Sequence, residues 1–384
     1  MIQTIAVANY RSLLDVKVPL GQLNLITGYN GSGKSNLYRA LRLLAACARD
    51  GVVNALASEG GLQSTFWAGP ETLSRAMKRG DVPVEGGPRK KPVRLKLGFS
   101  TDEFSYLIEL GLPEPSSSAF SLDPEIKREV IWTGTVCRPA STLVERKGPV
   151  VRIRNGRKWE VASQHINTFD SIFSELSDPT TAPEIFTLRE QLRSWRFYDH
   201  FRSDSQAPAR QPQLGTRTPV LDHDGRDFAA ALQTIREIGD SSALDHAVDD
   251  AFPGARVGIN AQAGGNFEVE FYQHGLLRPL KGAELSDGTL RYLLWVAALL
   301  TPRPPALMVL NEPETSLHPD LLPAFSRLIE QVSRHSQVWV VSHASRLINA
   351  LQESDNCNTI KLQKETGQTT IDGLDFLSEP AWSW

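Results

Sequence analysis

The stretch "LNLITGYNGSGKSNLYRALRLLAACA", residues 23–48, decides the fold. Residues 22–27 read as a short buried strand. A glycine-rich turn follows. From Ser35 onward, Leu37, Ala40, Leu41, Leu44, Ala45 and Ala48 recur at helical spacing on one face. Strand, glycine-rich turn and helix together open an α/β nucleotide-binding unit. The turn itself, "GYNGSGKS", fits the pattern GxxxxGKS over Gly28, Tyr29, Asn30, Gly31, Ser32, Gly33, Lys34 and Ser35, with Asn36 next on the helix. Its glycines let the backbone close around phosphates with N–H groups pointing inward. Lys34 reaches the β- and γ-phosphates, the Ser35 hydroxyl ligates Mg²⁺, and the helix offers its positive end. A chance glycine-rich turn is the competing reading. The strand before and the striped helix after decide against it.

Composition narrows the remaining classes. A chain of 384 residues allows one large domain or two ordinary ones. Its formal net charge of -3 argues against bulk electrostatic binding to nucleic acid and leaves room for a local basic patch. The three cysteines, Cys47, Cys137 and Cys357, form no CxxC, which argues against a zinc site or a disulfide framework. No apolar run reaches membrane-span length, and the start "MIQTIAVANYRSLLDV" reads as a strand, not a leader. A cytoplasmic protein with no membrane partner is the expectation.

Residues 2–8 read as a strand, followed by a turn and edge hairpin in "NYRSLLDVKVPLG". In the middle, "VRLKLGFS", "FSYLIELGL", "EVIWTGTV" and "VVRIR" alternate like neighbouring antiparallel strands. "LPEPSSSAFSLDPE" and "RSDSQAPARQPQLGTRTPV" have the composition of mobile loops. "RDFAAALQTIREIG" reads as a helix with Phe228, Ala231, Leu232, Ile235 and Ile238 as its core stripe, and "NFEVEFY" as a strand. The last third returns to α/β: helices at "TLRYLLWVAALL", "DLLPAFSRLIEQVSR" and "ASRLINALQ", buried strands at "ALMVL" and "QVWVV", and a closing hairpin at "NTIKLQKETGQTTIDGL".

Asn311 and Glu312 follow the apolar strand "ALMVL". Such a strand delivers polar residues to magnesium and to the attacking water. Glu312 polarises that water; a surface or capping acid is the lesser reading.

The motifs then become specific. "ELSDGTLRYLLW" resembles the signature turn of ABC-type ATPases, with Leu285, Ser286 and Gly288 in register and Asp287 where glycine is commoner. "SLHPD" resembles the D-loop, and "VVSHASRL" the switch segment with His343. "IAVANYRSL" resembles the opening of the RecF/SMC-like branch, and "VLDHDGRDFAAALQTI" a stretch of RecF-type predicted AAA ATPases, with an OLD-like ATPase domain and no nuclease domain. The match covers both ends of the chain and is loose over residues 70–195.

The resemblance implies an α/β P-loop NTPase of the ABC-ATPase head type. Its mixed-sheet core carries an antiparallel β region and a helical insertion. It forms one head over 1–384: an N-terminal lobe at 1–65, an insertion at 66–280 and a C-terminal lobe at 281–384. It implies ATP and Mg²⁺ as cofactors. Gly28 to Asn36 bind ATP, with Arg11 approaching from the N-terminal strand turn. Ser286, Asp287 and Gly288 contact the γ-phosphate held by a second copy. Glu312 is the catalytic base, and His343 and Lys34 complete the catalytic set. Ser35, Asn311 and Gln63 serve the metal. One phosphate loop and one signature turn per chain imply an ATP-assembled homodimer.

Asn311 stands where an aspartate is usual. Its carbonyl still accepts a hydrogen bond but carries no charge. Weaker magnesium binding is therefore expected, relieved by Asn311→Asp.

Two function classes follow: a DNA-transaction ATPase in repair, recombination or anti-phage defence, or an ATP-gated regulator of a separate effector with slow turnover. For double-stranded DNA the candidates are Arg152, Arg154, Arg157 and Lys158 in "RKGPVVRIRNGRKW", which also holds Arg146 and Lys147. "GGPRKKPVRLK" is a second basic run. A solvated, charge-protected hairpin edge is the alternative. Asp222, His223, Asp224 and Asp227 read as a polar turn capping a helix ahead of a metal cluster. Trp382 and Trp384 read either as an anchored tail or as a docking peptide.

Overall fold

The computed structural model describes residues 1–49, 51–70, 74–79, 81–82, 92–115, 117–176, 178–180, 182–199, 201–315, 317–374 and 378–384. Arg89, Lys90 and Lys91 of the second basic run and Ser316 of the D-loop-like turn lie outside them. Compactness divides the chain into two units. One is Met1–Gly21, Ile26–Trp195 and Ile360–Trp384; the other is Gln22–Leu25 and Arg196–Thr359. Residues 2–8 of the 1–65 stretch pair with residues 96–101 of the 66–280 stretch in one sheet.

In the first unit, runs rich in Val, Ile, Leu and Tyr form β1 (Ile2–Tyr10), β2 (Leu13–Pro19), the end of β3 (Leu23–Gly28), β4 (Leu95–Thr101), β5 (Phe104–Gly111), β6 (Glu125–Thr133), β7 (Thr142–Lys147), β8 (Val150–Asn155) and β9 (Lys158–Ser163). Apart from β3 they make one antiparallel sheet in the order β2-β1-β4-β5-β6-β7-β8-β9. β1 and β5 are buried along nearly their whole length, so both faces are covered. β9 is the exposed edge. β7 and β9 escaped the sequence reading because charged residues interrupt their alternation. The helix Lys34–Ala46 buries Leu37, Ala40, Leu41, Leu44 and Ala45, as its stripe requires.

The second unit holds β10 (Arg196–Tyr198), β11 (Gln213–Leu214), β12 (Arg256–Ala261), β13 (Asn266–Tyr272), β14 (Leu280–Lys281), β15 (Leu307–Asn311) and β16 (Gln337–Val341). β10, β15 and β16 are parallel neighbours, and Val338 N–H donates to Gln22 O at 2.9 Å. β11, β12 and β14 flank β13 in a small antiparallel sheet. Helices Phe228–Ile238, Ser241–Ala251, Asp287–Leu299 and Leu322–Ser333 bury a common core that includes Phe228, Leu244, Trp295 and Phe325. Ile238 departs from its expected stripe: it ends its helix and is exposed.

The chain re-enters the first unit at Ile360, within β17 (Cys357–Glu365), and closes the hairpin with β18 (Gln368–Ile371). The tail is anchored. Trp382 packs edge-on against Trp132 at 5.5 Å, and Trp384 against Trp382 at 5.4 Å. The Trp384 indole N–H donates to Asp15 Oδ1 at 3.0 Å. Gly98 makes the room: a Cβ there would sit 2.6 Å from the Trp382 ring. Among the described residues, no helix is long and apolar enough to cross a membrane.

Candidate functional site

The phosphate-loop residues lie together in the first unit. Gly33 is the N-cap of Lys34–Ala46 at φ +109°, a conformation that glycine reaches without steric cost. A Cβ at Gly33 would also meet Thr369 Oγ1 at 2.1 Å. No side chain caps this helix and its first turn holds no acid, so its N–H groups are left to an anion. Lys34 is buried, and its ammonium donates to the carbonyls of Gly28 at 2.6 Å and Tyr29 at 3.2 Å, which folds it over the loop. Tyr29, Asn30, Gly31 and Ser35 are exposed along the loop.

The loop is braced by residues far away in sequence. Thr369 of β18 donates to Ser32 O at 2.8 Å and shares a 2.7 Å hydrogen bond with the Ser12 hydroxyl. Asn36 Nδ2 donates to Ser12 Oγ at 2.8 Å, and Thr369 N–H donates to Ser12 O at 2.8 Å. The closing hairpin therefore fixes the loop, a role that sequence reading did not assign to it. Arg11 is held at φ +49° and pairs with Glu59 at 3.0 Å; Glu59 also accepts from the Tyr10 hydroxyl. Arg11 N–H donates to Thr65 O at 2.7 Å, which places the short helix Leu62–Thr65, with exposed Gln63, beside the Arg11 turn.

The signature and switch residues lie in the second unit. Ser286 is the exposed N-cap of Asp287–Leu299, its Oγ accepting from Thr289 N–H at 3.1 Å. The departure at Asp287 has a partner: Arg210 donates to its carboxylate at 2.6 Å. The same buried guanidinium donates to the carbonyls of Ser203, Gly282, Ala283 and Leu285, at 2.9, 3.2, 3.3 and 2.7 Å. The proline-rich stretch 202–220, expected to be a mobile loop, is thus the support of the signature turn.

Glu312 directly follows β15 at φ +49°, its N–H bonded to Val341 O at 2.8 Å. His343 Nδ1 lies 3.7 Å from Glu312 Oε1 and 3.6 Å from Glu314 Oε1. Glu314 was not singled out in the sequence. It is buried, and its Oε1 accepts from the Ser342 hydroxyl at 2.7 Å, His343 N–H at 3.1 Å and Ala344 N–H at 3.2 Å. One carboxylate thereby sets the backbone of the whole switch. A second unread residue is Asp199: Asn311 Nδ2 donates to its Oδ1 at 3.1 Å.

A family model described as "AAA domain, putative AbiEii toxin, Type IV TA system" matches residues 23–349. The chain belongs to this AAA domain family. A search of the curated proteins finds no match. Among solved structures, the AAA domain is similar to one described as the SmcHead bound to the C-winged helix domain of ScpA. The two are 13% identical over 98% of each chain, with a TM-score of 0.53. It is also similar to an Smc head domain with an extended coiled coil bound to the C-terminal domain of ScpA, derived from Pyrococcus furiosus. That pair is 11% identical over 98% of this chain and 96% of that one, with a TM-score of 0.50. The AAA domain has the mixed α/β fold of an SMC-head, ABC-type ATPase.

The phosphate loop fits a magnesium nucleotide: the exposed Ser35 hydroxyl is a hard oxygen donor of the kind Mg²⁺ prefers. Mg²⁺ keeps most of its waters beside substrate phosphates, and among the described residues no group of three His, Cys, Asp or Glu forms a protein cage. In the turn at 222–227 the Asp222 carboxylate is engaged by His223 and Arg226. The Asp227 carboxylate accepts from Asp222 N–H at 3.0 Å, which tightens the turn and leaves the helix start uncapped by that side chain.

The basic candidates share one edge. Arg152, Arg157 and Lys158 are exposed on the β8–β9 hairpin, while Arg154 stacks on Trp159 at 5.2 Å and donates to Ala140 O at 2.6 Å. Arg146 does not belong with them. It is fully buried and paired with Glu129.

Proposed function

We propose that the chain is an ATP-binding and ATP-hydrolysing RecF/SMC-like ATPase: one ABC-type head that closes into a homodimer on ATP and acts in DNA transactions. The observation that carries this reading is the phosphate loop: a left-handed Gly33 at the helix start, no side-chain cap, a buried Lys34 folded onto the Gly28 and Tyr29 carbonyls, and a brace from Ser12 and Thr369 on Ser32 and Asn36. Gly28 to Asn36 bind the phosphates, and Ser35 and Asn311 hold Mg²⁺, which offsets phosphate charge when bound. Glu312 takes the proton of the attacking water, and His343 reads the γ-phosphate. Ser286, Asp287 and Gly288 meet the nucleotide of the second copy. Arg152, Arg157 and Lys158 give a duplex an exposed cationic edge.

Lys34→Ala tests the core of this. Removing a charge-assisted contact to phosphate costs about 1.5–3 kcal/mol, roughly tenfold or more in ATP affinity. Unchanged ATP affinity and unchanged phosphate release, with and without DNA, defeat the reading. The dimer has its own check. Glu312→Gln at saturating ATP is expected to double the solution mass; a mass that stays monomeric removes the dimer from the proposal.

One observation favours the second reading, a slow ATP-gated regulator of a separate effector. Asp287 puts a carboxylate, 63% exposed, at the start of the signature helix. A negative charge facing a γ-phosphate opposes closure. Faster turnover in Asp287→Gly supports the regulator; unchanged turnover removes its support.

A further inference from the structure

We propose that Asp199 supplies the carboxylate that Asn311 lacks, acting through the Asn311 amide as the positioning residue of the magnesium arm. This rests on the reading of Ser35 and Asn311 as the metal's protein ligands. β10 and β15 run parallel, with Arg196, Phe197 and Tyr198 opposite Met308, Val309 and Leu310. Asp199, just past the end of β10, and Asn311, the last residue of β15, therefore lie at the same carboxyl end, where open α/β sheets bind ligands.

The 3.1 Å contact fixes which way the Asn311 amide points. A carboxylate only accepts, so the amide nitrogen must be the donor. The carbonyl oxygen is then turned away from Asp199, an acceptor for the ion or one of its waters. A hydrogen bond from amide to carboxylate also draws negative charge toward that oxygen, because bonded dipoles polarise one another. Asp199 thus orients the Asn311 carbonyl and strengthens it as an acceptor. The charge expected at 311 sits one hydrogen bond further out.

The expectation for Asn311→Asp changes accordingly. Alone, that substitution puts two carboxylates in contact in place of an amide–carboxylate pair. Only exchanging both residues, Asp199→Asn with Asn311→Asp, rebuilds a compatible pair with the acid facing the metal.

The experiment titrates Mg²⁺ against binding of a fluorescent N-methylanthraniloyl ATP, a readout independent of turnover. Apparent unfolding temperature without nucleotide serves as the folding control. Loss of an outer partner of a metal ligand costs roughly 10–100-fold in metal affinity. Asp199→Asn is expected to raise the half-saturating Mg²⁺ concentration by about that factor. The double exchange is expected to restore it, and Asn311→Asp alone is not. A half-saturation for Asp199→Asn within twofold of the parent overturns the proposal, and so does failure of the double exchange to restore it.

Ser35→Ala separates the two levels. If it leaves the Mg²⁺ dependence unchanged, the underlying assignment of the metal arm falls, and this inference with it. If it shifts the dependence while Asp199→Asn does not, only this inference falls.

Discussion

Replacing Glu312 with glutamine is expected to lower ATP turnover by roughly 10²–10⁴-fold, the usual contribution of a positioned general base, and to leave ATP bound. Glutamine keeps the size and an acceptor oxygen but cannot take a proton. The backbone shows why position 312 is specialised. A non-glycine residue at φ +49° is strained by about 1–3 kcal/mol, and such strain persists only where neighbours enforce it. Here Pro313 disfavours the right-handed helical alternative, and Val341 O holds the Glu312 N–H at 2.8 Å. The result is a carboxylate 45% exposed just past the carboxyl end of β15, with His343 3.7 Å away and fixed in turn by Glu314. At that separation His343 does not share a direct hydrogen bond with Glu312, so His343→Ala is expected to slow turnover less than Glu312→Gln does. Phosphate release measured beside nucleotide binding decides the matter. Turnover of Glu312→Gln within tenfold of the parent excludes Glu312 as the base.

The phosphate loop was legible because its constraints are local. Gly28, Gly31 and Gly33, then Lys34 and Ser35, lie within eight consecutive residues, and the helix that completes them begins at once. Asn311, Glu312 and His343 were legible because apolar strands deliver them. What the sequence did not show are the residues that hold these. Asp199 meets Asn311 only through the register of β10 on β15, across 112 positions. Arg210 looked like one more cation in a proline-rich loop, because nothing nearby in sequence reveals that it will collect the carbonyls beneath the signature turn. Thr369, in the closing hairpin, reaches Ser32 across 337 positions. Pairings of this kind are fixed by tertiary packing and leave no periodic trace. Arg146 was grouped with the basic hairpin for a related reason. Alternation along β7 points Arg146 inward and Lys147 outward, yet both count equally as positive charge in a composition reading.

Arg146→Leu is expected to destabilise the first unit by about 3–5 kcal/mol, the cost of leaving one member of a buried ion pair unpartnered. Glu129 and Arg146 lie opposite each other on β6 and β7, and both side chains are 0% exposed. Their 2.8 Å contact is only part of a closed network. Arg146 also donates to the carbonyls of Gly148 at 2.8 Å and Asn167 at 2.7 Å, and to Asp170 O. Glu129 accepts from the hydroxyls of Tyr106 and Ser171, both at 2.6 Å, and from Ile172 N–H at 3.1 Å. Burial, reinforced by the nearby Glu129 charge, pushes the Tyr106 phenol well above its ordinary range, so it remains a donor at any working pH. Leucine at 146 would strip Glu129 of its counter-charge and leave three carbonyls to find other partners. Glu129→Gln removes the charge but keeps an acceptor for Tyr106 and Ser171, and should cost less. Thermal unfolding reads the difference, with a drop on the order of 10 °C for Arg146→Leu. The contrasting outcome is equally definite. Were Arg146 a surface cation for DNA, its replacement would stay within about 0.5 kcal/mol of the parent and weaken DNA binding instead. Arg157→Leu, on the exposed turn of the β8–β9 hairpin, is the substitution expected to behave that way.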